Sequence, residues 1–160
     1  MIDPYKKLAV LGHPIKQSKS PLIHNYWIEK YGLQGKYDAI DIEPDNLEKD
    51  LGQLISEEYE GFNVTSPHKQ SICRYCDQFD HAATDIGAVN TLHIQDNKMV
   101  GSNTDAYGFI QNLEVVYPDF DWMAGPAVIL GAGGAARAIA YALKEKNVPI
   151  VRICNRTIWK

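Results

Sequence analysis

The polar residues able to do chemistry in this chain fall in short clusters, each just after an apolar run. Ser18 and Ser20 follow a run that ends at Gly12. Asn63 and Thr65 close another, and Lys69 comes shortly after Pro67. Asn90 and Thr91 lie in Gly87-Ala88-Val89-Asn90-Thr91-Leu92, and Asn103-Thr104-Asp105 closes a further pair of runs. Together they offer hydroxyls, amides, one ammonium and one carboxylate. That set can bind a small polyhydroxy carboxylate, with the hydroxyls and amides on ring oxygens and charge-assisted bonds elsewhere. Open α/β sheets bind ligands at the ends of their strands, where these clusters stand. Each residue also has an ordinary structural role open to it. Ser20 and Asp105 are good helix caps, and Lys69 could be a solvated surface lysine.

A second kind of site is written near the end. The apolar run Ala127-Val128-Ile129-Leu130 passes directly into Gly131-Ala132-Gly133-Gly134-Ala135-Ala136. In a strand–turn–helix context the pattern Gly131-x-Gly133-x-x-Ala136 lets backbone N–H groups approach a pyrophosphate at a helix N-terminus. A plain small-residue turn is the alternative. The next run, Ile150 to Cys154, ends in Asn155-Arg156-Thr157, with Lys160 close behind. NAD enzymes place a carboxylate at the end of this strand for the ribose 2′-OH. A guanidinium and an ammonium suit a 2′-phosphate instead, so the expected cofactor is NADP. A solvated basic terminus is the other reading.

The elements that must position these residues follow from punctuation and periodicity. Residues 7–12 read as a buried strand. Ser20-Pro21 opens a helix, with Ser20 as N-cap and Leu22, Ile23, Tyr26 and Trp27 as its apolar residues, ended by Gly32. Residues 36–42 form a second strand. Pro44-Asp45 opens a helix to about Ile55, with Leu47, Leu51 and Leu54 on one face. A third strand covers 61–65, and a helix is expected after Pro67. Residues 88–95 and 98–102 read as a hairpin turning at Asp96-Asn97. A helix from Asp105 to about Val116 is stopped by Tyr117-Pro118. After a turn-rich connector, Asp119 to Gly125, with the unit boundary placed near 117–125, comes a strand–helix–strand unit, its helix read over Ala138–Lys146. The fold class is α/β: an α/β sheet unit in front and the start of a Rossmann-like βαβ behind.

The 160 residues carry a formal charge of −4, which excludes a nucleic-acid binder working by bulk positive charge. No apolar run approaches the roughly 20 residues of a membrane helix, and the first residues do not read as a signal peptide. Three cysteines cannot form a disulfide framework, so a cytoplasmic setting is expected. Cys73-x-x-Cys76 has no second pair and is read as two partly buried thiols on a helix. The five histidines show no metal-ligand spacing, and no metal is expected; His24 is read as a packed side chain.

The clusters together resemble the shikimate dehydrogenase family. The matching stretches are Gly12-x-Pro14-Ile15 with Ser18-Lys19-Ser20-Pro21-x-Ile23-His24, then Asn63-Val64-Thr65-x-Pro67-x-Lys69, Gly87-Ala88-Val89-Asn90-Thr91-Leu92, Gly101-x-Asn103-Thr104-Asp105-x-x-Gly108, Gly131-Ala132-Gly133-Gly134-Ala135-x-Arg137 and Asn155-Arg156-Thr157. They stand in family order with family-like spacing. The resemblance implies NADPH-dependent reduction of 3-dehydroshikimate to shikimate in aromatic amino-acid biosynthesis. It implies that Ser18 and Ser20 bind the substrate carboxylate, that Thr65, Asn90 and Asp105 hold ring oxygens, and that Lys69, paired with Asp105, is the acid–base residue. Gly131, Ala132, Gly133, Gly134, Ala135, Asn155, Arg156, Thr157 and Lys160 would hold the cofactor. The family often has His where this chain has Gln17, and some NADP-using members have Arg where it has Lys160. The resemblance also implies a division into residues 1–117, a shikimate-binding catalytic domain lacking its C-terminal helices, and 118–160, the first βαβ of a truncated NADP-binding Rossmann domain. The chain is then expected to be a fragment with little activity. The alternatives are a binding-only fragment of the same enzyme and an NAD-using quinate/shikimate dehydrogenase.

Overall fold

In β1 (Lys6–Gly12) the last four residues are all buried, as a strand with neighbours on both edges and cover on both faces requires. A computed structural model describes residues 5–157, so Lys160 lies outside the described residues. β1 pairs in parallel with β2 (Gly35–Asp41) and β3 (Tyr59–Val64), reached through the crossover helices α1 (Ser20–Lys30) and α2 (Leu47–Ser56). The short β4 (Gln78–Phe79) and α3 (His81–Ile86) come next, then the hairpin of β5 (Thr91–Gln95) and β6 (Lys98–Ser102). The six strands lie in the order β2-β1-β3-β5-β6-β4. After α4 (Asp105–Val116) comes a separate parallel pair, β7 (Ala127–Leu130) and β8 (Val151–Cys154), joined through α5 (Gly134–Glu145).

Register explains why the polar clusters meet. β3 runs antiparallel to β5 with Asn63 opposite Thr91, and Thr91 stands opposite Ser102 on β6. The end of β3, the start of β5 and the end of β6 therefore share one end of the sheet. β1, parallel to β3, delivers its following loop to that same end. The hairpin turn holds this in place: Asp96 and Asn97 both have positive φ, 50° and 58°, as a two-residue type I′ turn needs.

The structure differs from the sequence reading at several points. Pro67 is followed by turns and a 3₁₀ helix, Ser71–Tyr75, rather than an α-helix. Cys76 lies just past it, so the two thiols do not share a regular helix. Burial pushes the Cys76 thiol up to about 12, which leaves it a protonated packing group. α3 and β4 are elements the sequence pattern does not announce. Asp80 caps α3 by accepting the Ala83 N–H at 2.6 Å, and Gly87 ends it at φ 65°. α5 starts at Gly134, within the glycine turn, four residues earlier than read.

α1 carries the largest departure. Its N-cap position is Lys19, and Ser20 is already helical. Leu22, Ile23, Tyr26 and Trp27, expected to face the core, are all exposed. The contacts to the sheet are instead made by His24, Asn25 and Ile28, none of them fully buried. His24 stacks on Tyr37 with ring centroids 4.2 Å apart. Asn25 bonds both backbone groups of Tyr37, at 2.8 and 2.9 Å, and Ile28 packs on the cluster of Val10, Ile15 and Tyr37. Two polar side chains that fit the backbone and ring of β2 decide the rotation of the helix.

Burial holds the His24 imidazole below its ordinary 6.5. Protons then bind the unfolded chain more readily than the folded one, so stability is whole above that value and is lost as pH falls below it. The Tm should drop between pH 7 and pH 5, and His24→Phe should flatten that part of the curve. An unchanged slope in the variant would remove His24 as the cause.

Candidate functional site

Lys69 is positioned from behind. The Thr65–His68 turn is closed by the His68 N–H on the Thr65 carbonyl at 2.9 Å. The His68 side chain is fully buried, and its Nε2 lies 2.7 Å from the Ile42 carbonyl, to which it must donate. The sequence pattern marks neither His68 nor Tyr37 as a site residue. Each occupies an unspecified position of a motif or strand, and its partner is distant in sequence. With the turn pinned, the Lys69 carbonyl accepts the Val89 N–H at 2.7 Å, and its side chain runs to Asp105. Lys69 Nζ donates to Asp105 Oδ2 at 2.5 Å, with 16% and 25% of the two side chains exposed. The lysine is therefore a paired, mostly buried cation and not a solvated surface residue.

Asp105 does not cap α4, whose N-cap position is Thr104. It is the first residue of α4, but its own N–H is received by Asn103 Oδ1 at 2.9 Å. Asn103 is buried and anchored by Nδ2 on the Ala88 carbonyl at 2.8 Å. The Asp105 carboxylate can therefore take Lys69 on one oxygen and Asn90 Nδ2 on the other, at 2.9 Å. Asn90 also donates to Thr104 Oγ1 at 2.9 Å, and its Oδ1 receives the Thr104 N–H at 3.1 Å and the Thr91 hydroxyl at 3.0 Å. Asn63 Nδ2 reaches Thr91 Oγ1 at 3.3 Å, and the Tyr37 hydroxyl donates to Asn63 Oδ1 at 2.6 Å. Burial pushes the Tyr37 phenol up to about 12, so it remains a donor. The result is a continuous polar chain across the end of the sheet from Tyr37 to Lys69. Asn90 is its hub, and only 8% of it is exposed. Asn90→Ala should cost about 2–3 kcal/mol in urea unfolding, because buried partners lose their bonds together. A loss within error of zero would show the hub to be replaceable.

Thr65 is half-buried beside Gly12, where a Cβ would fall 2.5 Å from Thr65 Cγ2 and 3.2 Å from the Ser66 carbonyl. Glycine is needed at 12 for the β1 loop to lie on the Thr65 turn. Asp41 fixes that loop further, accepting from the Ile15 N–H at 3.0 Å and bonding His13 Nδ1 at 2.6 Å. Ser18 and Ser20 stand on it, half-buried, with Ser18 Oγ accepting the Ser20 N–H at 3.3 Å. They share the sheet end with Lys69, Asn90 and Asp105 but make no hydrogen bond to them among the described residues.

The glycine turn sits next to this cluster. Gly131 has φ 108°, a conformation that favours glycine, and Gly133 is the N-cap of α5. No atom lies within 4 Å of a Cβ built on either, so the turn is open above them. A cleft of about 880 Å³ runs beside it, lined among others by Ala132, Ala136, Arg137, Asn155 and Thr157. Ala135 and Arg156, next along the chain to the lining residues Ala136 and Asn155, are exposed. Small residues around a helix N-terminus, with amide, hydroxyl and guanidinium donors nearby, fit a phosphorylated nucleotide. Among the described residues no helix is long and apolar enough to cross a membrane.

Known proteins bear on this geometry directly. A curated shikimate dehydrogenase (NADP(+)) of Mesorhizobium japonicum is 45% identical over 159 residues, covering 99% of this chain and 56% of that protein. One from Paramagnetospirillum magneticum is 44% identical over 150 residues, covering 93% of this chain and 54% of its own. The chain thus spans about half the length of the curated relatives it matches. The crystal structure of shikimate 5-dehydrogenase from Thermus thermophilus in complex with NADP(H) and shikimate superposes with a TM-score of 0.83 at 39% identity, over 95% of this chain and 56% of that one. Shikimate dehydrogenase 1 of Peptoclostridium difficile gives a TM-score of 0.89 at 29% identity, over 96% and 56%. The family model described as the shikimate dehydrogenase substrate binding domain matches residues 10–92, the stretch from the end of β1 through β2 and β3 that includes Lys69 and Asn90. By sequence and by fold, the chain belongs to the shikimate dehydrogenase substrate-binding-domain family.

Proposed function

We propose that this chain serves the NADPH-dependent reduction of 3-dehydroshikimate to shikimate. In this reading residues 1–117 form the substrate unit and residues 118–160 the opening βαβ of a cofactor unit. The observation that carries it is the Lys69–Asp105 pair, braced by Asn90 at the sheet end and set beside the N-terminus of α5. Ser18 and Ser20 offer hydroxyls to the substrate carboxylate, while Thr65, Asn90 and Asp105 hold ring oxygens. NADPH, when bound, supplies the hydride. As the ring carbonyl is reduced, negative charge grows on its oxygen. The Lys69 ammonium stabilises that charge and delivers the proton, and Asp105 keeps the ammonium aimed. Gly131, Ala132, Gly133, Gly134 and Ala135 would cradle the pyrophosphate, and Asn155, Arg156 and Thr157, with Lys160, the 2′-phosphate end.

The NAD-linked quinate/shikimate alternative wants a carboxylate after β8; Asn155, Arg156 and Thr157 stand there instead. Titration calorimetry of this chain with shikimate tests the substrate half, and absorbance at the NADPH band with shikimate and NADP⁺ tests turnover. Saturable shikimate binding that is weakened in Ser18→Ala/Ser20→Ala is expected. No binding to a folded chain would sink the substrate assignment.

A further inference from the structure

Gly134 is the first residue of α5, and its bare Cα faces the stem of Lys69. A methyl group there would lie 3.0 Å from Lys69 Cβ, 3.3 Å from Cδ and 3.6 Å from Cγ. Neither side has room to retreat. The Lys69 carbonyl is held by the Val89 N–H at 2.7 Å and its Nζ by Asp105 at 2.5 Å. α5 is held by Ala138 and Ala142, both fully buried in a cluster with Ile86, Ala88 and Ala106. Such small side chains let the helix approach closely and leave no slack. Past its far end, Lys146 bonds Glu114 on α4 at 2.5 Å. Gly131 and Gly133, by contrast, would meet nothing within 4 Å.

We propose that Gly134 is a positioning residue for Lys69: it is glycine so that the lysine stem can pass the helix end and reach Asp105. The turn expected to hold the pyrophosphate and the expected proton donor then form one packed unit, and a shift in either moves the other. This rests on the acid–base role proposed for Lys69, although the contact itself does not depend on it.

The test uses the 160-residue chain, without cofactor. Lysines are acetylated with N-hydroxysuccinimide acetate and rates read by peptide mass spectrometry. Gly134→Ala should raise the Lys69 rate several-fold against the exposed Lys49 and Lys98, because the Nζ–Asp105 bond is weakened. Gly133→Ala, in the same turn at φ −82°, should leave it at the wild-type rate. A general loosening would also raise Lys36, which is paired with Asp38 at 2.6 Å on β2, and that overturns the proposal, as does an unchanged Lys69 rate in folded Gly134→Ala. If that variant melts too early to label, Tm is compared in two backgrounds. The loss caused by Gly134→Ala should shrink by more than half when Lys69 is already Gly, and an equal loss in both overturns the proposal. A positive labelling result in a chain that binds no shikimate would leave the contact standing and remove the functional reading instead.

Discussion

Lys69→Ala is expected to lower NADP-linked turnover of shikimate by about 10²-fold or more, the usual contribution of a positioned acid or base. Shikimate affinity should fall only modestly, because Ser18, Ser20, Thr65 and Asn90 are untouched by the change. The split follows from where the ammonium acts. Its charge is matched to an oxygen that becomes negative only as the hydride arrives, so its removal is felt in kcat more than in KM. Lys69→Arg should not restore the rate. The guanidinium keeps the charge but is wider than an ammonium, and the space between the stem and Gly134 is so narrow that even a Cβ there would come within 3.0 Å of Lys69. Asp105→Asn should fall in the same direction by a smaller factor, since the amide still occupies the space but no longer aims the cation. Steady-state kinetics of the three variants decide the matter, and near wild-type turnover in Lys69→Ala would end the acid–base assignment.

Much of this site could be read from the sequence, for a physical reason. Strand ends are marked by local punctuation: Gly12, Pro67 and the Asp96-Asn97 turn each mark where a strand stops, and polar residues near strand ends collect at one end of the sheet. Hence Lys69, Asn90 and Asp105 could be named, and the structure joins them in one network. Asp105 could also have been a cap by local rules. Its place at the first helical position, with its carboxylate taken up by Lys69 and Asn90, excludes that role. What stayed hidden depends on contacts distant along the chain. The orientation of α1 follows from His24 and Asn25 meeting Tyr37, against the plain apolar pattern of Leu22, Ile23, Tyr26 and Trp27. The buried His68, bonded to Ile42 on another crossover, had no local signal at all. Nor could spacing show that Gly134 differs from Gly131 and Gly133, since the difference is the side chain of Lys69 in front of it.

Arg156→Ala carries the second large effect, and it falls on cofactor choice. Arg156 directly follows Asn155 after β8 and is exposed, with Asn155 and Thr157 lining the neighbouring cleft. An exposed guanidinium at this strand end is free to meet a 2′-phosphate with two parallel N–H donors, a geometry a lone ammonium cannot supply. Charge-assisted bonds of this kind contribute roughly 1.5–3 kcal/mol each, so NADP affinity should weaken by about 10–10²-fold. NAD has a hydroxyl in place of the phosphate, and its affinity should change little. The ratio is the decisive quantity. General damage to the turn would weaken both nucleotides alike, whereas loss of a phosphate contact weakens only one. Such a contact would be salt-sensitive, because an exposed ion pair is screened, and an NADP preference carried by Arg156 should narrow as ionic strength rises. Fluorescence titration with both nucleotides at two salt concentrations reads all of this. Equal weakening of NADP and NAD in Arg156→Ala, or an NADP preference that survives it, would take the 2′-phosphate away from Arg156 and reopen the NAD-linked alternative.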